Sequence, residues 1–205
     1  ITVAGDTFTD AAGNATPSDV SLTLDIDTVV PGITIATTDS ALIAGETATI
    51  TFTLTEGSSN FIKDDITVSG GTIGDLTAVS STVYTAVFTP DTSSTTDGVI
   101  TVAGDTFTDA AGNANPSEVF LTLAVDTVVP GITITTSDNA LIAGETATIT
   151  FTLTEGSTNF IRDDITVSGG TVTGFFGSGT SYTGTFRPDE NFTGCLLYTS
   201  PSPRD

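Results

Sequence analysis

The chain has 205 residues, with 25 Asp and Glu against 4 Lys and Arg, a formal net charge of −21, and no His, Met or Trp. This balance excludes nucleic acid and anionic membranes as natural partners, because both require a positive surface, and the lack of His removes the commonest general base. The single Cys195 permits no intramolecular disulfide, so stability outside the cell has to come from cores, repeats or metal.

An internal repeat sets the organisation. Asp27-Thr28-Val29-Val30-Pro31-Gly32-Ile33-Thr34 recurs as Asp126-Thr127-Val128-Val129-Pro130-Gly131-Ile132-Thr133, and Ile1 to Phe8 recurs as Ile100 to Phe107, both at an offset of 99 residues. That offset is about the length of a small β-sandwich. The expected division is a complete repeat over 27–125, the C-terminal strands of a truncated repeat over 1–26, and the N-terminal part of a third over 126–194. Each seam follows an alternating apolar run and contains a proline, which cannot donate a ladder hydrogen bond.

Within the complete repeat, Ile33 and Ile35 alternate with threonines and Thr38-Asp39-Ser40 turns the chain. Ala48, Ile50, Phe52 and Leu54 then alternate with Thr47, Thr49, Thr51, Thr53 and Thr55, the period of a half-buried strand. A polar stretch from Glu56 to Asp65 leads to Ile66-Thr67-Val68 and a Gly70-Gly71 turn. A weakly patterned strand follows around 73–79, and Tyr84, Ala86 and Phe88 form one face of the next, which Pro90 closes. Val99 or Ile100 to Val102 begins another strand. Phe107 lies just beyond it, and the loop Thr108 to Asn113 turns the chain into Val119, Leu121, Leu123 and Val125. No helix is expected. Seven short strands in about 100 residues point to an all-β chain of tandem immunoglobulin-like sandwiches, truncated at both ends, without the Cys and Trp core signature of antibody domains.

In such a sandwich the start of strand A and the B–C and F–G loops share one end. This brings together Asp27, Glu56, Asp64, Asp65, Asp109 and Asn113, facing the preceding unit where Asp25 lies. Asp126, Glu155, Asp163 and Asp164 repeat the arrangement, with Asp39, Asp91 and Asp97 approaching from the unit before. Oxygen donors from several loops, without His or thiolate, suit Ca²⁺. For Asp109 and Asn113, flanking Gly112, an Asx turn is an equally open reading. One acid of the pairs Asp64-Asp65 and Asp163-Asp164 has an ion pair with Lys63 or Arg162 as its alternative, and Asp105 reads as a turn residue.

The set DTVVPGITI, AGETATITFTLTE, DITVSGGT, YTAVFTP and GDTFTDAAGN, in this order over residues 1–194, resembles the bacterial immunoglobulin-like repeats of very large surface adhesins, including the RTX adhesins of Gram-negative bacteria. The resemblance implies an extracellular, cell-surface location, calcium at interdomain junctions, neighbouring repeats as partners, and a host-surface or biofilm ligand bound elsewhere in the full protein. By motif position it assigns the junction aspartate to Asp27 and Asp126, the acid after strand B to Glu56 and Glu155, and the D-x-x-G-N loop to Asp10 with Asn14 and Asp109 with Asn113.

No G-x-S-x-G elbow or phosphate-binding glycine loop occurs, so catalysis is not expected. No apolar run of about 18 residues would insert in a membrane. The leading expectation is a structural stalk stiffened by calcium, and the alternative is a module whose loops bind glycan or protein. Tyr84 and Tyr182 fall on expected core positions, and Phe175-Phe176 reads as the filling of a core gap. Residues 195–205 break the repeat and resemble the in-frame translation of a transposase-type sequencing adapter, so they are set aside as a non-native tail.

Overall fold

A computed structural model describes residues 1–194; the tail from Cys195 onward lies outside the described residues. The chain divides into two compact units, Ile1–Val128 and Val129–Asp205. The first begins with β1 (Thr2–Val3) and β2 (Val20–Ser21), which pair antiparallel and are exposed throughout.

The rest of this unit is a two-sheet sandwich. Its elements are β3 (Ile33–Thr37), β4 (Ala41–Ile43), β5 (Ala48–Leu54), β6 (Ile66–Ser69), β7 (Gly71–Ile73), β8 (Thr77–Ala78), β9 (Val83–Pro90), β10 (Gly98–Val102) and β11 (Val119–Asp126). One sheet runs β3-β5-β9-β7 with β8 also on β9, and the other runs β4-β11-β10-β6. These are strands A to G of an immunoglobulin-like fold. A is broken in two where the chain crosses to the second sheet as β4, which pairs parallel with β11, and D is broken into β7 and β8. The Gly70-Gly71 step is a change of sheet rather than a hairpin turn. Gly70 has φ +72°, and a Cβ there would collide with the Asp97 carbonyl. Besides the broken strands, the strand pattern does not anticipate a 3-10 turn at Lys63–Asp65, which recurs at Arg162–Asp164.

Alternation on β5 turns Ala48, Ile50, Phe52 and Leu54 inward and the threonines outward, as the period predicts. The core they join includes Leu42, Tyr84, Ala86, Phe88, Ile100, Val102, Phe107, Leu123 and Val125. Each large apolar side chain fully removed from water contributes about 1.5–3 kcal/mol. Phe61 sits at the centre of an aromatic cluster, with Phe52, Tyr84 and Phe107 edge-on at 5.7, 5.1 and 5.3 Å.

The second unit carries β12 (Ile132–Thr136), β13 (Ala147–Ser157) and β14 (Gly170–Pro188) in one three-stranded sheet, the counterpart of A, B and the D–E stretch. The expected strand C does not form: residues 165–168 are irregular, as are 140–142, the equivalent of β4. The reason is pairing. In the first unit β6 is held by β10 and β4 by β11, and neither partner has a counterpart among the described residues of the second unit. Phe175 packs in the core, stacked on Tyr182 at 5.6 Å, whereas Phe176 is 71% exposed, so only the first of the pair fills a gap.

Candidate functional site

The seam is tied into the folded units on both sides. On the upstream side, Thr127 is buried against the loop after β9. Its hydroxyl donates to the Asp91 carbonyl at 2.6 Å and accepts from the Ser94 N–H at 2.9 Å, while its own N–H donates to the Ser94 carbonyl at 2.9 Å. On the downstream side, the Gly131 N–H donates to Thr154 Oγ1 at 2.7 Å, and the Thr154 N–H returns a bond to the Gly131 carbonyl at 2.9 Å. Gly32 and Thr55 make the same pair at 2.8 and 3.0 Å. Between the Thr127 and Gly131 anchors lie only Val128, Val129 and Pro130. Asp27 Oδ1 accepts from the Val29 N–H at 3.0 Å and Asp126 Oδ1 from the Val128 N–H at 3.3 Å, so each junction aspartate also shapes its own linker. Pro31 is fully buried, which makes it part of the sandwich rather than of a free linker.

At the pole where strand A begins, three segments meet. The Thr108 N–H donates to Asn60 Oδ1 at 2.9 Å, joining the F–G and B–C loops, and Asn113 Nδ2 donates to the Asp27 carbonyl at 3.3 Å, joining the F–G loop to the seam. Glu56 leaves the end of β5 into this corner. Its Oε2 is buried without a hydrogen-bond partner, and burial, then the charges of Asp27 and Asp109, push its carboxyl above the usual range. An ionised Glu56 is thus held in the field of two other carboxylates, which is a place that favours a cation.

Asp109 is committed differently. Its Oδ1 accepts from the N–H groups of Ala111, Gly112 and Asn113 at 2.9, 2.8 and 2.9 Å, and its Oδ2 accepts from Asn113 Nδ2 at 2.8 Å. The Asn113 side chain first, with the backbone donors, holds its carboxyl below the ordinary range against the opposing effect of burial. Gly112 supplies the left-handed residue, at φ +97°. The loop is therefore an Asx-type turn, and Asp10 with Asn14 repeats it at 2.8 Å.

The remaining acids are more dispersed. Asp65 Oδ2 accepts from the Ile62 N–H at 2.8 Å and Asp164 Oδ2 from the Ile161 N–H at 2.9 Å, each closing its one-turn helix. Asp64, Asp163, Asp25 and Asp126 are exposed, and Glu155 is half-buried on β13. Lys63 does not pair with its neighbours: its Nζ lies 3.8 Å from Asp75, and Arg162 donates to the Val172 carbonyl at 3.0 Å. Asp105 adopts φ +63°, as a turn residue does. Among the described residues no three His, Cys, Asp or Glu side chains are grouped to hold a metal; what links Asp27 and Asp109 to Glu56 is the effect of their charge on its carboxyl.

Four contributors were not singled out by sequence: Thr55, Asn60, Asn115 and Thr127. Thr55 and Asn60 recur as Thr154 and Asn159, but on an exposed threonine wall one hydroxyl looks like another. Asn115 is buried, accepting from the Thr106 and Phe107 N–H groups at 2.9 and 3.1 Å and donating to the Ala103 carbonyl at 2.8 Å.

Among curated proteins none matches the chain in sequence. Of solved structures, the Escherichia coli adhesin FdeC is similar at 16% identity, covering 94% of this chain and 70% of that one with a TM-score of 0.48. The Yersinia pseudotuberculosis adhesin InvE is similar at 19% identity, covering 74% and 50% with a TM-score of 0.37. The family model described as bacterial Ig-like domain matches residues 27–125 and again 126–198. Such domains are structural and binding modules, not enzymes. Two matched repeats, the two-sheet sandwich and the recurring seam place the chain in the bacterial Ig-like domain family.

Proposed function

We propose that the chain is a stalk segment of a secreted bacterial cell-surface adhesin, spacing a distal binding domain from the cell, with calcium stiffening the junctions between repeats. The observation that carries the reading is the short seam: Thr127 is bonded into one unit and Gly131 into the next, leaving three residues between, one of them proline. A linker that short, with φ of Pro130 fixed, has little freedom to lose. Membership of the family and the repeated adhesin-type motifs support the setting.

The calcium part rests on Glu56. Its unpartnered buried oxygen lies in the field of the Asp27 and Asp109 carboxylates at one pole, and a hard oxygen of this kind suits Ca²⁺ rather than a softer ion. A bound cation would offset the repulsion that raises the Glu56 carboxyl. The donor set is incomplete within the unit, so further oxygens would come from water or from a preceding repeat. Small-angle scattering and thermal melting in millimolar calcium and in chelator test the proposal: a stiffer, more stable particle with calcium is expected, and identical curves would overturn the calcium part.

A further inference from the structure

We propose that the parallel pair of β4 and β11 is the mechanical clamp of the complete sandwich, the ladder that must shear before the unit can be drawn out by its ends. The inference goes beyond the stalk reading, which supplies only the source of the pull, and it does not depend on calcium.

The chain enters the sandwich at Asp27 and leaves it at Thr127, at opposite poles. Both points are fixed. Gly32 and Thr55 tie the start of strand A to the end of β5, and Thr127 is tied to the loop after β9. Tension on the chain therefore runs along the strands, drawing strand A toward one pole and β11 toward the other.

One ladder joins these two strands directly. Ala41, Leu42 and Ile43 of β4 face Ala124, Val125 and Asp126 of β11 in parallel register, and the Ala124 N–H donates to the Ser40 carbonyl at 2.8 Å. Among the described residues every other strand pair is antiparallel. The parallel direction decides how the pull acts. Ala41 is the end of β4 nearer the pole of entry, and Asp126 is the end of β11 nearer the pole of exit. Opposed pulls on those ends slide the strands past one another, so the evenly spaced bonds of a parallel ladder are strained together instead of opening one at a time.

The other route for the pull is softer. β3 is held by β5 in the opposite sheet, and from there tension reaches β11 through core side chains, whose apolar contacts are non-directional. The ladder, as the stiffer route, takes most of the load. It is also braced. Asp39 Oδ1 accepts from the Ala41 N–H and Glu46 Oε2 from the Ile43 N–H, both at 3.0 Å, so β4 is held at each end. Between them Leu42 is 1% exposed and keys β4 into the core, so the strand cannot slide without lifting a large apolar side chain.

The test is constant-force spectroscopy of the 205-residue chain, held by its two ends in chelator. Opening of the complete sandwich is recognised by the chain it releases, roughly 300 Å over residues 33–126 at about 3.3–3.6 Å each. Lifetime under force is set by the unfolding barrier. Truncating a contact that is broken at that barrier shortens the lifetime, whereas truncating one still intact there leaves it unchanged. Leu42→Ala should shorten the lifetime at least about tenfold. Ile66→Ala removes a comparably buried side chain from β6, at the far edge of the same sheet. It should shorten the lifetime less than about twofold, although both variants lose stability in urea melts. Leu42→Val and Ile66→Val repeat the comparison at smaller cost where an alanine variant does not fold. A Leu42 variant with the wild-type lifetime, or an Ile66 variant that shortens it as much as its Leu42 counterpart, would overturn the proposal.

Discussion

Thr127→Val is the sharpest probe of the seam, because valine keeps the shape of threonine and deletes only the hydroxyl. That hydroxyl is buried and bonded at 2.6 Å to the Asp91 carbonyl and at 2.9 Å to the Ser94 N–H. Removing it leaves one donor and one acceptor without partners, at about 1 kcal/mol each. The backbone bond from the Thr127 N–H to the Ser94 carbonyl at 2.9 Å survives, so the end of β11 stays in place and the loss stops near about 2 kcal/mol. For a domain of this size that lowers the melting temperature by about 8–16 °C. Calorimetry reads the transition of the first unit, and backbone ¹⁵N relaxation reads the seam, where faster motion of Val128 is expected. Thr127→Ser retains the hydroxyl and should fall between valine and wild type. A valine variant that melts within about 2 °C of wild type, or a serine variant less stable than the valine one, would refute the assignment of the anchor to the hydroxyl.

Three further outcomes follow from the same geometry. Glu56→Gln in chelator should raise the melting temperature at neutral pH, because it removes an ionised group held near Asp27 and Asp109; in calcium the variant should lose the stabilisation that the wild type gains. Asn115→Thr, the residue found at the equivalent Thr16, whose own hydroxyl is buried without a partner, removes the three short bonds of the amide, at 2.8–3.1 Å, and should cost about 2–3 kcal/mol in urea melts. Gly98→Ala would set a Cβ 2.5 Å from the Phe88 ring, and overpacking there should cost about 1–3 kcal/mol by the same measurement.

The pH dependence carries two opposite signs. Asp109 is held low by its hydrogen bonds, so its contribution is present above the unfolded value near about 3.9 and is lost as pH falls through its folded pKa. Glu56 is pushed up, so the folded state takes up its proton first; its contribution is present below the unfolded value near about 4.3 and is lost as pH rises through the folded pKa. Without calcium, mild acidification should therefore stabilise the first unit before stronger acid destabilises it. The mild-acid gain should disappear in Glu56→Gln while the acid loss remains, and melting curves between about pH 3 and 7 read both.

Strand positions were legible because the period of two on β5 and β9 is undisturbed, and a buried face can be read from alternation alone. The break of strand A was not legible. Asp39 Oδ1 accepts from the Ala41 N–H at 3.0 Å and Glu46 Oε2 from the Ile43 N–H at 3.0 Å, local bonds that steer the chain to the other sheet and leave the apolar pattern unaltered. The pole of the candidate site was legible from topology, since strand direction alone brings Asp27, Glu56 and Asp109 to one end. Which acids act there was not, because Asp65 and Asp109 spend their oxygens on neighbouring N–H groups, and the same residue types serve turns and cations alike. The missing strand C of the second unit follows a different rule: Ile165 and Val167 have the alternation of a strand, but a ladder requires a partner, and periodicity says nothing of whether one is present.

The seam anchor and the acidic pole lie at opposite ends of the complete sandwich, and their independence can be measured. Thr127 is bonded to the loop after β9, at the end of the sandwich where strand G leaves. Glu56 couples to Asp27 and Asp109, at the end where strand A enters. The two share no hydrogen-bond partner, so in chelator the effects of Thr127→Val and Glu56→Gln on unfolding should add to within about 0.5 kcal/mol. An interaction energy above about 1 kcal/mol in that cycle would mean that the two ends communicate through the sandwich. In that case a cation at one junction would alter the exit of the chain toward the next, and stiffness would propagate along the array rather than being set junction by junction.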